Sequence, residues 1–499
     1  MKSDAQPPNT TCTAKPIPVQ AEKPHYGGVL RIADTYMLPP KMGIPGKINV
    51  GSPYLEPVVE HFLRVDKAGQ MVPHLIESWE YSKDGLQLTL HARRGVKFHD
   101  GSDFNAETAK WNLMKARESH GRLKVISSID LVDDYQILLN MENYDNTFLP
   151  NLAFSSGFVL SPTAFETFGE EYCMVHPVGT GPFKFVSYEP DVRIITERFN
   201  AYWQKDKPYL DGIELSYVNE VNTAVNMLKK GQVDVIVNIN GASAADLKAE
   251  GYTVKALPWN MEGLLPDSLN ADSVLADKRV RQAIEYAIDR PTIVKTLGRG
   301  FWQALTQLAT EAVYGYNSTI EGRRYNPNMA KQLLTEAGYP NGFKIKLIGG
   351  EGTELLKVFT MVQAYLAKVG IKAEIEIVDP ALWKKYRADK PWHDAMLFRH
   401  FSSDPNFTWT TSVLHSSNAY GETSVLRNFD DLIDESLQAR DYETLVNTTR
   451  KIVKHIYDEA TVIPLMVDSS IAAMNGKVHD LGYFEVHIRY WTPWNAWIE

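Results

Sequence analysis

The chain has 499 residues, of which 44% are hydrophobic, 11% aromatic and 23% charged. That length suits two or three domains with sizeable cores and excludes a small stapled scaffold, a collagen-like repeat and a wholly disordered chain. With 52 Lys and Arg against 61 Asp and Glu the formal charge is -9, which excludes a surface built to neutralise a nucleic-acid backbone. Eleven Trp and 24 Tyr call for large cores or for a cleft that grips something amphipathic.

Residues 1–25 are rich in Pro, Thr, Gln and Lys and read as a flexible tail. They hold no apolar signal-peptide core, so the expectation is a chain without its leader, a form that suits a protein once tethered by an N-terminal anchor. No run approaches the roughly 18 apolar residues that a spanning helix needs. The two cysteines, Cys12 and Cys173, exclude a Cys-rich zinc site and are not expected to pair, one being in the tail and one in the body.

After the tail, residues 28–33 (GVLRIA) read as a strand. A mixed region follows to about residue 177, with hairpin turns at Asp84-Gly85, Asp100-Gly101 and Asp133-Asp134 and a helix capped by Asn105. From about residue 211 the pattern becomes IELSYV, a helix capped by Asn222 and stopped at Gly231, then VDVIVNI, the helix ASAADLKAEG and the strand TVKAL. This is β-α-β-α-β, the rhythm of a parallel sheet. The same rhythm returns in KIKLIG, a long helix ending at Gly370, IKAEIEIVD, a helix opening at Pro380, and DAMLF. Between the blocks, DKRVRQAIEYAI places Val280, Ile284, Ala287 and Ile288 on one face, and Asn326, Pro327 and Gly338 punctuate a further helix. Two such blocks predict two α/β lobes. Ligands of open parallel sheets sit beyond the carboxyl ends of the strands, so facing lobes predict a site between them and closure by hinge motion.

No catalytic constellation stands out. A nucleophile elbow and an HExxH zinc helix are absent. GIPGK at 43–47 has the wrong spacing for a phosphate loop, and HDGSD at 99–103 reads as a turn plus helix cap rather than a calcium loop. The segment 397–415 (LFRHFSSDPNFTWTTSVLH) is read as a loop after DAMLF. Its density of Phe398, Arg399, His400, Phe401, Asp404, Phe407 and Trp409 is unusual for a loop and suggests a cleft wall. His400 and His415 are the histidines of that stretch, with packing or solvent contact favoured over metal ligation. Trp259, Asn260 and Glu262, in PWNME, fall where the chain crosses between lobes. Tyr36, after the first strand, is expected with them among the ligand-binding residues.

Several spaced motifs carry a resemblance: residues 72–112 (VPHLIESWEYSKDG to ETAKWN), VGTGPF at 178–183, NADSVLADKRVRQAIEYAIDR at 270–290, YNPNMAKQLLTEAGYPNGF at 325–343, Asp404-Pro405, and VIPLM at 462–466. From about residue 27 onward the chain resembles the family 5 extracellular solute-binding proteins of ABC importers, which include dipeptide-, oligopeptide- and nickel-binding proteins. The resemblance implies an α/β, bilobal, periplasmic-binding-protein-like fold of the large type II form. It implies a first lobe from 26–50, 178–265 and 472–499, an extra subdomain at 51–177, and a second lobe at 266–471.

In the peptide binders a Trp on the strand-end loop touches the ligand, and Phe398 matches it. The Asp three residues on, which pairs with the peptide's α-amino group, is matched by Phe401, an apolar ring that cannot neutralise an ammonium. A small loop shift would bring Asp404 into that role. Trp383 matches another ligand-adjacent Trp. In the nickel binders a His about a dozen residues past Asp-Pro is matched by His415. Their chelate-holding arginines have only His120 and Arg122 nearby, with Phe158 at another such position.

The expectation is therefore a non-enzymatic receptor needing no cofactor, a lipoprotein of the periplasm or the outer face of the cytoplasmic membrane. It is expected to be monomeric, touching the membrane only through a lost anchor or the permease subunits, and to bind neither nucleic acid nor a bare metal. A short peptide or peptide-like compound ranks first as ligand, a nickel or other metal chelate second and an oligosaccharide third. A ligand sensor built on the same fold is the alternative from another class, and an enzyme at the lobe interface lacks any nameable nucleophile or carboxylate pair. Arg399 and His400 are the local positive exceptions in an acidic chain, expected to meet a carboxylate-bearing solute.

Overall fold

The computed structural model describes residues 23–36, 54–66, 69–119, 121–268, 270–389, 392–403, 410, 414–415, 430–482, 491 and 493–499. Most of residues 1–25, GIPGK, His120, Asp404 and Trp409 lie outside the described residues. His25 does not: it stacks on Trp497 at 5.3 Å between ring centroids, and Tyr26 packs edge-on against Tyr209 at 5.2 Å. The ordered body thus begins before residue 26, because these rings find aromatic partners on the body.

An eleven-stranded sheet runs through both lobes. Its main strands are β1 (Val29–Asp34), β2 (Phe183–Glu189), β3 (Arg193–Arg198), β4 (Gly212–Tyr217), β5 (Val235–Val237), β6 (Thr253–Pro266), β7 (Lys344–Gly350), β8 (Lys372–Val378), β9 (Ala395–Ser402) and β10 (Ile463–Met474), and the short strand Gln303–Ala304 adds to β10. Their order across the sheet is β2-β3-β4-β1-β5-β10-β6-β9-β7-β8. The helices used below are α1 (Ala106–Ser119), α2 (Val221–Lys229), α3 (Gly241–Ala249), α4 (Lys278–Ala287), α5 (Pro327–Glu336), α6 (Thr353–Ala367) and α7 (Pro380–Asp389).

Both β-α-β-α-β blocks exist, with a difference between them. In the second, β7 is central and parallel to both β8 and β9, with α6 and α7 on the crossovers. In the first, β4 and β5 are each parallel to β1, which lies between them, while β10 lies between β5 and β6 and is antiparallel to both. Local periodicity reports strand direction but cannot reveal a neighbour supplied by remote chain. The caps follow the sequence where a side chain can reach the first turn: Asn105 accepts from Thr108 N at 3.0 Å, and Asn326 from Met329 N at 3.1 Å. Asn222 departs from expectation. It sits inside the first turn of α2, which starts at Val221 so that Val221 and Val225 can pack on the apolar cluster under β1 and β5.

The larger correction concerns 397–415. Residues 397–402 belong to strand β9, not to a loop. With β6 on one side and β7 on the other, β9 is central, and apart from His400 and Ser402 its residues are buried, on both faces. Phe398 is 3% exposed and meets Phe359 of α6 edge-on at 5.8 Å, while Phe401 is 2% exposed in the cluster on the opposite face. Such an aromatic pair adds about 1 kcal/mol beyond area burial. Phe398 and Phe401 are core because the strand they lie on is covered.

Residues between Phe62 and Val159 gather a separate core around a four-stranded antiparallel sheet and α1. It joins the first lobe through a buried polar knot. Glu60, fully buried, receives Tyr202 Oη at 2.7 Å, Thr180 Oγ1 at 2.9 Å and Trp203 Nε1 at 2.9 Å, and His74 Nε2 lies 2.9 Å away. His74 and Arg64 both lie over Trp494, and Arg64 Nη2 donates to Trp491 O at 3.0 Å, which ties in the C-terminal segment. VGTGPF serves the same junction: a Cβ on Gly179 or Gly181 would come within 2.2 or 2.5 Å of the Val58 or Pro57 carbonyl oxygen. Phe158 is core here, stacked on His61 at 4.0 Å.

Candidate functional site

The site follows from where strands end. The carboxyl ends of β1 and β5 bring Asp34–Tyr36 and Val237–Asn240 to one edge of the first lobe. Those of β7, β8 and β9 bring Gly350–Gly352, Asp379–Trp383 and His400–Ser403 to one edge of the second. Among the described residues, only strands β6 and β10 pair with strands of both lobes. Residues 253–258 of β6 pair with β10 alone, while 260–266 also pair with β9. Residues 472–474 of β10 pair with β5, and 466–467 pair with the short strand Gln303–Ala304. The β6–β10 register slips between Pro258 and Met261 and again between Glu262 and Gly263, at the point where partners change. Two crossing strands with paired irregularities are a hinge.

Trp259, Asn260 and Glu262 sit on this crossing. The Trp259 carbonyl accepts from Ser403 Oγ at 2.8 Å, and Asn260 N donates to Asp468 Oδ1 at 2.8 Å. Glu262 is buried, and its Oε1 lies 2.8 Å from His400 Nδ1 across the β6–β9 register, where the two residues are partners. The His400 side chain is 54% exposed, the one exposed residue of β9. Trp383, at the start of α7, lies over Gly350, where a Cβ would be 3.8 Å from its ring. On the first lobe, Asp34 is fully buried and accepts from Tyr54 Oη at 2.5 Å, Asn238 Nδ2 at 2.9 Å and the Tyr36 amide at 2.7 Å, while Ser470 of β10 donates to Asn238 Oδ1 at 2.9 Å. Asn238 holds a left-handed backbone, φ 60°, to make these bonds. Tyr36 is 60% exposed.

Several expected site residues are not brought to this edge. Phe398 and Phe401 are core, as above. Arg399 is 6% exposed on the face of β9 opposite His400, because strand neighbours alternate sides. The two positive exceptions read from the sequence therefore do not share a surface. His415 lies 3.3 Å from Asp434 Oδ1. No group of three or more metal-ligating side chains occurs among the described residues, and none of their helices is long and apolar enough to cross a membrane. Asp34, Tyr54, Asn238 and Ser470 went unrecognised because they come together from four distant segments. The Asn238 backbone, where an ordinary L-residue is disfavoured, was the one local signal.

A two-lobed α/β protein with a hinge between facing strand ends is a cleft-closing binding protein. Residues 70–421 match the family model of bacterial extracellular solute-binding proteins, family 5, and the chain belongs to that family. It is 30% identical over 428 residues to the glutathione-binding protein GsiB of Escherichia coli O1:K1, covering 82% of this chain and 83% of GsiB. The periplasmic binding protein DppA of Helicobacter pylori, solved with the peptide STSA, superposes with a TM-score of 0.81 at 25% identity over 95% of this chain and 99% of that one. NikA of Staphylococcus aureus, solved with Ni(L-His)2, shares the fold with a TM-score of 0.79 at 21% identity over 95% and 100%.

Proposed function

We propose that this chain is the extracytoplasmic receptor of an ABC importer for a short peptide or peptide-like amino-acid derivative, that it acts as a monomer, and that it performs no chemistry of its own. The carrying observation is the pair of shared strands β6 and β10, whose irregularities fall between two sets of strand ends. The peptide class rests on GsiB and DppA, the first named for glutathione and the second solved with a tetrapeptide. The division into lobes at 26–50, 178–265 and 472–499 against 266–471, with 51–177 as subdomain, agrees with this mechanism, the flexing points being inside β6 and β10.

Solute binds one lobe, the lobes rotate together and the closed form docks on the permease. A thermal-shift screen against glutathione, di- and tripeptides, a nickel–histidine complex, opines and oligosaccharides tests the ligand class. A ligand at 100 times its Kd adds about 2.7 kcal/mol to the folded state, so a peptide or glutathione raises Tm measurably. A shift with nickel–histidine or oligosaccharide alone rejects the peptide reading.

A further inference from the structure

We propose that Glu262 and His400 form a proton-gated acceptor for an ammonium group of the solute, so that protonation of the ring and capture of the solute exclude one another. This rests on the reading of the chain as a receptor for peptide-like solutes. The geometry begins with a carboxylate that can only accept. Glu262 is buried on β6 and its Oε1 stands 2.8 Å from Nδ1 of His400, which fixes the ring proton on Nδ1. The neutral ring then carries its lone pair on Nε2, and among the described residues Nε2 has no hydrogen-bond partner.

The ring is held as well as oriented. It stands edge-on to Phe398 at 5.2 Å between centroids, and Phe398 is pinned by Phe359. Phe398 is buried in the core of the second lobe, whereas His400, two residues on, is half exposed. A lone pair backed by a buried negative charge suits an N–H donor that carries positive charge. A carboxylate there would first need a second proton on the ring.

The charged groups on the surrounding elements do not alter this polarity. Asp468 of β10 accepts from the Asn260 amide, and Glu351 follows β7. On α6, Glu354 and Lys357 pair with each other at 2.6 Å. Arg399 of β9 itself faces the other side of the strand. A solvent proton on Nε2 removes the acceptor and sets a cation against the solute's ammonium.

The test is calorimetric titration of the full chain with tri-alanine and glutathione, and with their N-acetyl derivatives, from pH 5 to pH 8. Expected is affinity for the free-amino forms that falls at least tenfold from pH 8 to pH 5, a flat profile in His400→Gln, and at least tenfold weaker binding at pH 8 in Glu262→Gln. The N-acetyl forms bind weakly and with little difference between wild type and His400→Gln. Affinity that rises on acidification, or a profile that His400→Gln leaves unchanged, overturns the proposal. If no peptide binds at any pH, the peptide reading fails, and nitrogen-15 spectra of the ligand-free protein then decide the acceptor. A neutral His400 ring protonated on Nδ1, an arrangement lost in Glu262→Gln, upholds it, and a ring protonated on Nε2 overturns it.

Discussion

The molecule contains two carboxylate–imidazole pairs of nearly equal length in opposite settings. Glu60 and His74 lie 2.9 Å apart with side chains 0% and 4% exposed, inside the junction of the first lobe with the extra subdomain. Glu262 and His400 lie 2.8 Å apart with side chains 6% and 54% exposed, at the hinge. The first pair is enclosed: Tyr202, Thr180 and Trp203 donate to the carboxylate, and Trp494 and Trp203 flank the imidazole. In the second, one ring nitrogen is left facing outward. Equal chemistry thus serves as a clamp in one place and an open contact in the other, and what surrounds the imidazole decides which.

The largest effect expected from this contrast is on stability. Glu60→Gln breaks a buried, fully bonded carboxylate and is expected to cost about 3–5 kcal/mol in denaturant unfolding. A loss below about 1 kcal/mol breaks the comparison.

Acid comes next. Burial holds His99 down to about 4 and also lowers His61 and His74, so these rings stay neutral when folded while the unfolded chain takes up protons below its ordinary imidazole value. The unfolded state binds more protons in that window, so stability falls as pH drops from about 6.5 toward 4, by roughly 3 kcal/mol for His99 alone. Glu56, pushed up to about 8 by burial, and Glu285, also raised by burial, act in the opposite sense, two groups against three. Melting curves are therefore expected to peak near pH 6.5, and a protein that melts higher at pH 4.5 than at pH 6.5 contradicts the clamp.

Arg399→Ala sharpens the comparison on the hinge side. As a buried strand residue it is expected to cost about 2 kcal/mol of stability through lost packing and hydrogen bonding, with peptide affinity unchanged in the folded fraction. Lost affinity at full stability would return Arg399 to the cleft. The smallest effect is expected for Tyr202→Phe, which removes one of the bonds to Glu60 and costs about 1 kcal/mol in the same unfolding assay. An unchanged midpoint would separate Tyr202 from the clamp.

The sequence carried the two lobes well, because each is written in contiguous helix and strand periods ending at legible punctuation. Gly338 and Gly370 stop their helices at φ 92° and 91°, as their positions suggest. It carried the sheet order poorly. β1 and β10 insert between strands of the first block, and Gly263 of β6 pairs with Pro464 of β10, a long-range pairing that no local period encodes. The site was legible in part. PWNME was placed at the crossing, and His400 was singled out, but its neighbours were misread because continuous apolar runs fit a covered strand as well as a lined loop. Glu60, His74 and Trp203 went unnoticed because the knot joins three segments that no motif spacing connects.

The most direct measurement compares Glu60→Gln and Glu262→Gln, each tested for unfolding free energy and for glutathione and tripeptide affinity at pH 8. The account predicts that Glu60→Gln loses stability and keeps affinity in the folded fraction, while Glu262→Gln loses at least tenfold in affinity and keeps its stability within about 1 kcal/mol. Two variants that lose the same property, or a Glu262→Gln protein that binds peptide as wild type does, would contradict it.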